Sequence, residues 1–222
     1  ASPSMRSILR ASRGLPRRVA LRPAAAAAHR AAGSQAFAKL TKVASEELKY
    51  EQEQYQTPPI SQTYLKENPE WKLDNPEGTV TLTLTKETEG KTIKVQWQLT
   101  EPTDMGEDEE EDVSTEFTVA ISKATGQTLT FFCSTIPQEE NQRYMIGSVG
   151  CYRTKEEAAN PMAYSGPEFE DLDEQVQESF DEFLADHGVT PMLCDFIEAS
   201  ATDKEQSEYI RWLEQVKSFT QA

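Results

Sequence analysis

The sequence is short of the residues that catalysis and covalent cross-linking usually need. It has two histidines, and His29 lies in a stretch of different composition, so His187 is the only one in the main body of the chain. The three cysteines, Cys133, Cys151 and Cys194, are far apart, odd in number and include no Cys-x-x-Cys. That pattern argues against a zinc site and a disulfide framework, and an apolar-flanked cysteine such as Cys133 is expected in the core of a strand. The phosphate-binding Gly-x-x-x-x-Gly-Lys, Gly-x-Gly-x-x-Gly, Gly-x-Ser-x-Gly and His-Glu-x-x-His are all missing, so no catalytic, metal or cofactor site is expected. His187 is expected at a helix end, where a cation interacts favourably with the helix dipole. No apolar run approaches the about 20 residues that span a bilayer.

A second absence is regional. Residues 1–45 contain no Asp or Glu but nine of the chain's 22 basic residues, starting at Arg6 and ending at Lys42. Arginine-rich and acid-free, this is the composition of a mitochondrial import leader, with the alanine run from Ala24 to Ala28 able to form a helix. Met5 is expected to be the native start and Ala1–Ser4 a remnant of recombinant expression. The division expected is therefore a leader at 1–45 and one acidic domain at 46–222.

Acid is what remains. After Ser45 the other 13 basic residues face all 38 acidic ones. Such a surface repels polyanions and attracts basic proteins, with a force that salt weakens. Six acids stand in a row, Glu107, Asp108, Glu109, Glu110, Glu111 and Asp112. Like charges at that density do not pack, so a loop is expected between strands, either simply solvated or acting as an electrostatic landing site for Lys/Arg-rich partners. The alternating ligands and central glycine of a helix-loop-helix calcium site are absent.

Periodicity supplies the elements. Thr41 to Gln56 reads as a helix stopped by Pro58 and Pro59. From Thr79 the period becomes two: Val80, Leu82 and Leu84, then Ile93, Val95, Trp97 and Leu99, then Phe117, Val119 and Ile121 alternate with polar residues. Leu129, Phe131 and Cys133 continue the pattern, and Tyr144 to Tyr152 adds a strand in which Gly147 and Gly150 suggest a bulge. Glu89-Gly90 and Thr125-Gly126 are placed for short turns, so the strands should form an antiparallel meander. Trp71 and Leu73 are candidates to open the sheet, and Ala163 to Phe169 to add an edge strand. Leu172, Val176, Phe180, Phe183 and Leu184 then trace a helix that Asp171 and Glu174 would cap as a box and Gly188 would end. Thr190-Pro191 starts a shorter helix, and a second box, Thr202 with Glu205, starts a last one carrying Tyr209, Trp212, Leu213, Val216 and Phe219. The fold class expected is α+β, one antiparallel sheet with helices on a face.

Three stretches together resemble one family: Gly166-Pro167-Glu168-Phe169 leading to Leu172-Asp173-Glu174, then Phe183 to Val189, and Glu208 to Phe219. They are similar to the mitochondrial acidic matrix protein family, also called mitochondrial glycoprotein, whose vertebrate member is known as a receptor for the globular heads of the first complement component. The resemblance implies a strongly twisted sheet of about seven strands with one N-terminal and two C-terminal helices on one side. It also implies a ring-shaped homotrimer with unequal charge on its two faces. In function it implies a multifunctional, non-enzymatic binding protein of the mitochondrial matrix, linked to ribosome assembly, translation and RNA processing. With the acidic composition, two roles stand out. One is an adaptor or chaperone for basic RNA-binding or ribosomal proteins, with indirect effects on RNA. The other is a direct RNA-binding accessory subunit of a processing or editing complex. The sequence holds no Asn-x-Ser/Thr acceptor, so the name glycoprotein has no support in it.

Overall fold

The computed structural model describes residues 23–99, 114–136 and 143–221, with side chains from Gln35 onward. Six strands, β1 (Lys72–Asp74), β2 (Thr81–Thr88), β3 (Lys91–Gln98), β4 (Glu116–Lys123), β5 (Thr128–Thr135) and β6 (Tyr144–Tyr152), pair in chain order. Every pairing is antiparallel, as the alternating pattern requires. Glu89 (φ 48°) and Gly90 (φ 74°) form the two-residue turn between β2 and β3, a conformation that suits the right-handed twist of paired strands. The register slips by one residue opposite Phe132/Cys133, which leaves Gly147 of β6 as the bulge.

Alternation separates the faces of the sheet. Leu84, Val95, Val119 and Phe131 share one register row, Leu82, Trp97, Phe117 and Cys133 the next, and all are buried. Onto this face pack α4 (Glu174–Asp186) and the first half of α5 (Pro191–Thr220). Phe131 is held edge-on by Phe180 and stacked by Phe183, while Phe196 meets Trp97 edge-on and stacks on Tyr64 at 4.7 Å. Truncating the fully buried Phe131, Phe196 or Trp97 costs about 3–5 kcal/mol, and the half-buried Phe180 and Phe183 less. The opposite face carries Thr83, Gln96 and Thr118 in one row and Thr85, Lys94 and Thr130 in another, outside the core that the helices cover.

The helices differ from expectation in four places. First, α1 spans Pro23–Gln54 and so begins well before Thr41. After its end Pro58 and Pro59 also start a helix, α2 (Pro59–Glu67), because proline at the first helical position gives up no hydrogen bond. Second, the cap of α4 is Asp173, whose carboxylate accepts from the Gln175 N–H at 3.0 Å, in place of the Asp171–Glu174 box. Asp171 instead ends a 3-10 turn, Phe169–Asp171. Third, Thr190 and Pro191 begin one uninterrupted helix of 30 residues. Thr202 lies inside it with its hydroxyl donating to the Glu198 carbonyl, so the Thr-x-x-Glu spacing there is a coincidence of helical composition. Fourth, Ala163 to Phe169 forms no strand. A single bridge, Ser148 to Glu168, marks where a seventh strand would pair with β6. Gly188 ends α4 as expected, with φ 95°.

Beyond the sheet, α1 packs along the second half of α5. Their contact mixes apolar and polar groups: Ala44, Leu48 and Leu213 are buried, Gln206 donates to Glu51, and Thr41 donates to the Thr220 carbonyl. The apolar stripe of α5 is only partly covered, with Leu213 buried and Tyr209 and Val216 half-buried but Trp212 55% and Phe219 73% exposed, and Phe37, Leu40 and Val43 of α1 are also exposed. Among the described residues no helix is long and apolar enough to cross a membrane.

Candidate functional site

The meander brings three connections to one end of the sheet. β1 leaves for β2 there through 75–80, β3 for β4 through 100–113, and β5 for β6 through 137–142. Their sequences hold Glu77, Glu101, Asp104, Glu107 to Asp112, Glu139 and Glu140, and no lysine or arginine. The acid run Glu107–Asp112 lies outside the described residues, but both of its flanks are placed. Leu99 donates its N–H to the Val80 carbonyl at 2.8 Å. On the other flank the Thr115 N–H reaches the Thr135 hydroxyl at 2.9 Å. From these flanks a cleft of about 680 Å³ runs along the open face, lined by Gln96, Gln98, Glu116, Thr118, Phe132 and Met145 among others.

Two clamps hold this end against α5, and each uses a buried cation. Arg143, at the entry to β6, donates to the Asp195 carboxylate through Nε and Nη2, to Glu198 through Nη2 at 2.7 Å, and to the Ile136 carbonyl through Nη1. Burial works against its charge, and the two carboxylates more than offset that and hold its pKa above the usual value. Lys204 is only 3% exposed, and its ammonium donates to the Pro76 carbonyl and to Glu208, both at 2.8 Å. Glu208 also accepts from the Gly78 N–H and from Arg211. Burial alone would raise the Glu208 carboxyl, but these donors outweigh it and bring it below its ordinary value. Gly78 is needed here, since its φ is 72° and a Cβ would lie 2.7 Å from the Arg211 guanidinium. A third polar contact pairs Tyr144 with Asp181 of α4. Burial and the neighbouring carboxylate push the tyrosine up, and burial raises the Asp181 carboxyl despite that hydrogen bond.

The other residues singled out by sequence fall into structural roles. His187 is the C-cap of α4. Its Nδ1 lies 2.7 Å from the Phe183 carbonyl, so the Nδ1–H donates there and leaves Nε2 to accept from Lys91 at 3.4 Å. Cys133 and Cys194 are buried and free, with both thiols pushed up by burial, and Cys151 is exposed. Among the described residues no group of three or more His, Cys, Asp or Glu is arranged to hold a metal. Both clamps escaped the sequence reading, because Arg143, Lys204 and Arg211 look like any surface cation until the strand order brings the loops to α5.

Comparison with known proteins agrees with this architecture. Residues 44–220 match the family model described as mitochondrial glycoprotein. A mitochondrial protein of Arabidopsis thaliana is 34% identical over 46% of this chain and 39% of its own length. The mitochondrial acidic protein of Schizosaccharomyces pombe is 39% identical over 25% of the chain and 21% of its own length. The matches thus span well under half of those relatives. Two solved structures share the fold. One is a Leishmania major protein described as a homologue of human p32, with a TM-score of 0.65 and 23% identity over 83% of this chain and 99% of that one. The other is the Trypanosoma brucei p22 protein, with a TM-score of 0.67 and 21% identity over 83% of this chain and 98% of that one. The chain belongs to the mitochondrial glycoprotein family.

Proposed function

We propose that this member of the mitochondrial glycoprotein family is a non-enzymatic acidic adaptor or chaperone of the mitochondrial matrix. It captures basic RNA-binding or ribosomal proteins and so supports RNA processing, ribosome assembly and translation, its effect on RNA being indirect. The observation that carries this reading is the strand order, which roots at one end of the sheet three connections whose sequences are rich in acid and free of lysine and arginine. Of the cations beside them, Arg143 and Lys204 are engaged by carboxylates of α5, and Arg211 by Glu208 of α5 and, at 3.9 Å, by Glu77 of the first connection. Apart from Glu77, the acid of these connections is therefore taken as available to a partner, with Glu107, Asp108, Glu109, Glu110, Glu111 and Asp112 as the principal contact.

Residues 1–45 act as the import leader in this account and 46–222 as the working domain. The exposed Trp212 and Phe219, both within 46–222, support a homotrimer, because an apolar stripe left open on α5 needs cover from another copy. Light scattering on the purified protein checks that expectation, and a monomeric mass contradicts it.

Native gels with a lysine-rich ribosomal protein and with mitochondrial RNA, titrated separately, test the function. The adaptor binds the ribosomal protein at low salt and leaves the RNA unshifted. Tight RNA binding without added protein would replace this reading with that of a direct RNA-binding accessory subunit.

A further inference from the structure

Away from the acidic end, the connection between β6 and α4 carries the most exposed large apolar side chains among the described residues. Met162 is 88% exposed and Tyr164 76%. Their exposure is not that of a loose loop, because both roots of the segment are fixed. On one side Thr154 caps the short helix α3 (Lys155–Ala158), and the Asn160 side chain accepts from the Met162 N–H at 3.0 Å while its carbonyl accepts from Ala163. On the other side Gly166 has φ 95° and lies so close to β6 that a Cβ would stand 2.3 Å from the Val149 carbonyl oxygen. Glu168 then bridges to Ser148, and Phe169 is buried against Phe180. A thioether and a phenol ring are thus presented on a stalk whose geometry is set in advance, which is how a binding anchor avoids the entropy cost of ordering.

Charge selects the partner. Glu156, Glu168, Glu170 and Asp171 surround the tip in sequence, are exposed, and have no ion-pair partner among the described residues. The cations of this stretch are Arg153 and Lys155. A second copy of the chain would bring the same carboxylates to the contact and be repelled, whereas a cationic segment is attracted. Arginine fits best, since a guanidinium stacks on a tyrosine face while pairing with carboxylates, and its aliphatic stem packs on methionine.

We propose that the tip formed by Met162 and Tyr164, with Glu168 and Glu170 beside it, is a docking site for an extended arginine-rich segment of a partner protein. The proposal rests on the adaptor reading and gives it a second contact surface, separate from the loop Glu107–Asp112.

The test is fluorescence anisotropy of a labelled peptide alternating arginine and leucine, with a lysine and leucine counterpart, titrated with the full chain. Three variants are compared with the unaltered protein: Met162→Ala with Tyr164→Ala, Tyr164→Phe alone, and one in which Glu107 to Asp112 are replaced by their amides. The double alanine variant should bind the arginine peptide about tenfold more weakly, with its unfolding midpoint unchanged because both side chains are exposed. Tyr164→Phe should bind as the unaltered protein does, and the lysine peptide should lose less than the arginine peptide. Unchanged affinity in the double variant with loss in the loop variant overturns the tip proposal and leaves the adaptor reading in place. Failure of both peptides to bind the unaltered protein overturns both. A change of oligomeric mass in the double variant shows that copies meet at the tip, and also overturns the proposal.

Discussion

The two ends of the sheet use charge in different ways. At the end with the β2–β3 and β4–β5 turns, cations are matched locally. Lys86 lies 3.6 Å from Glu70 and 5.3 Å over the Trp71 ring, and Lys91 sits between Glu89 and His187. Turns there are two to four residues long. At the other end the connections are longer and carry carboxylates without cations of their own in sequence, and the nearby Arg143, held against α5, and Lys204, on α5 itself, are both buried. Charge at the first end serves the fold. At the second, the cations go to α5 and to Glu77, and the adaptor proposal assigns the remaining carboxylates to a partner.

That contrast can be broken most forcefully at its buried cations. Arg143→Met should lower stability by about 2–4 kcal/mol, because Asp195, Glu198 and the Ile136 carbonyl lose their donor. The lower part of that range is expected, as Asp195 is half exposed and can be rehydrated. Lys86→Met at the opposite end should cost about 1 kcal/mol or less, since Glu70 stays in water. Urea unfolding midpoints of the two variants decide this, and equal losses would erase the distinction between the ends.

Lys204→Met sharpens it further, with an expected cost of about 1–2 kcal/mol at pH 7. Glu208 is held below its usual value near 4.5, so its contribution is present above that value and lost as pH falls through the folded one. The gap between the variant and the unaltered protein should therefore narrow as pH falls below 4.5 through the folded value, leaving the share that the bond to the Pro76 carbonyl contributes, as midpoints measured across pH would show. A gap that does not narrow in acid would mean that the pairing with Glu208 adds nothing to it.

The smallest effect concerns the loops. Self-repulsion of the acidic domain should make the melting temperature rise by about 2–4 °C between about 20 and about 300 mM NaCl. Neutralising Glu107 to Asp112 should flatten that slope. A melting temperature that is flat or falls with salt in the unaltered protein contradicts the repulsion argument.

How much of this was legible in the sequence depends on how local the cause is. The strands were visible from alternation at Leu82, Leu84, Val95 and Trp97, because a period of two with one buried face admits few other readings. The Glu89-Gly90 turn and the Gly188 stop were equally local. Helix boundaries were less secure. Thr202 mimicked a cap inside α5, and Asp171 competed with Asp173 two residues on, because such side chains offer similar acceptors at neighbouring positions. The stripes through Trp212 and Phe219 marked surfaces that need cover, but periodicity does not say whether the same chain supplies it. The acid run was plain. Strand order, which sequence does not show, roots the segments that carry it, Glu77 and Glu139 at one end of the sheet, and the clamps at Arg143 and Lys204 span 52 and 128 residues to the partners they hold.

The adaptor account is tested most directly by a tagged pull-down from mitochondria, with and without ribonuclease and at low and raised salt, comparing the unaltered chain with one in which Glu107 to Asp112 are neutralised. The account predicts that basic ribosomal or RNA-processing proteins survive ribonuclease, fade as salt is raised, and are largely lost from the variant. Recovery that requires RNA and is indifferent to the loop would contradict it.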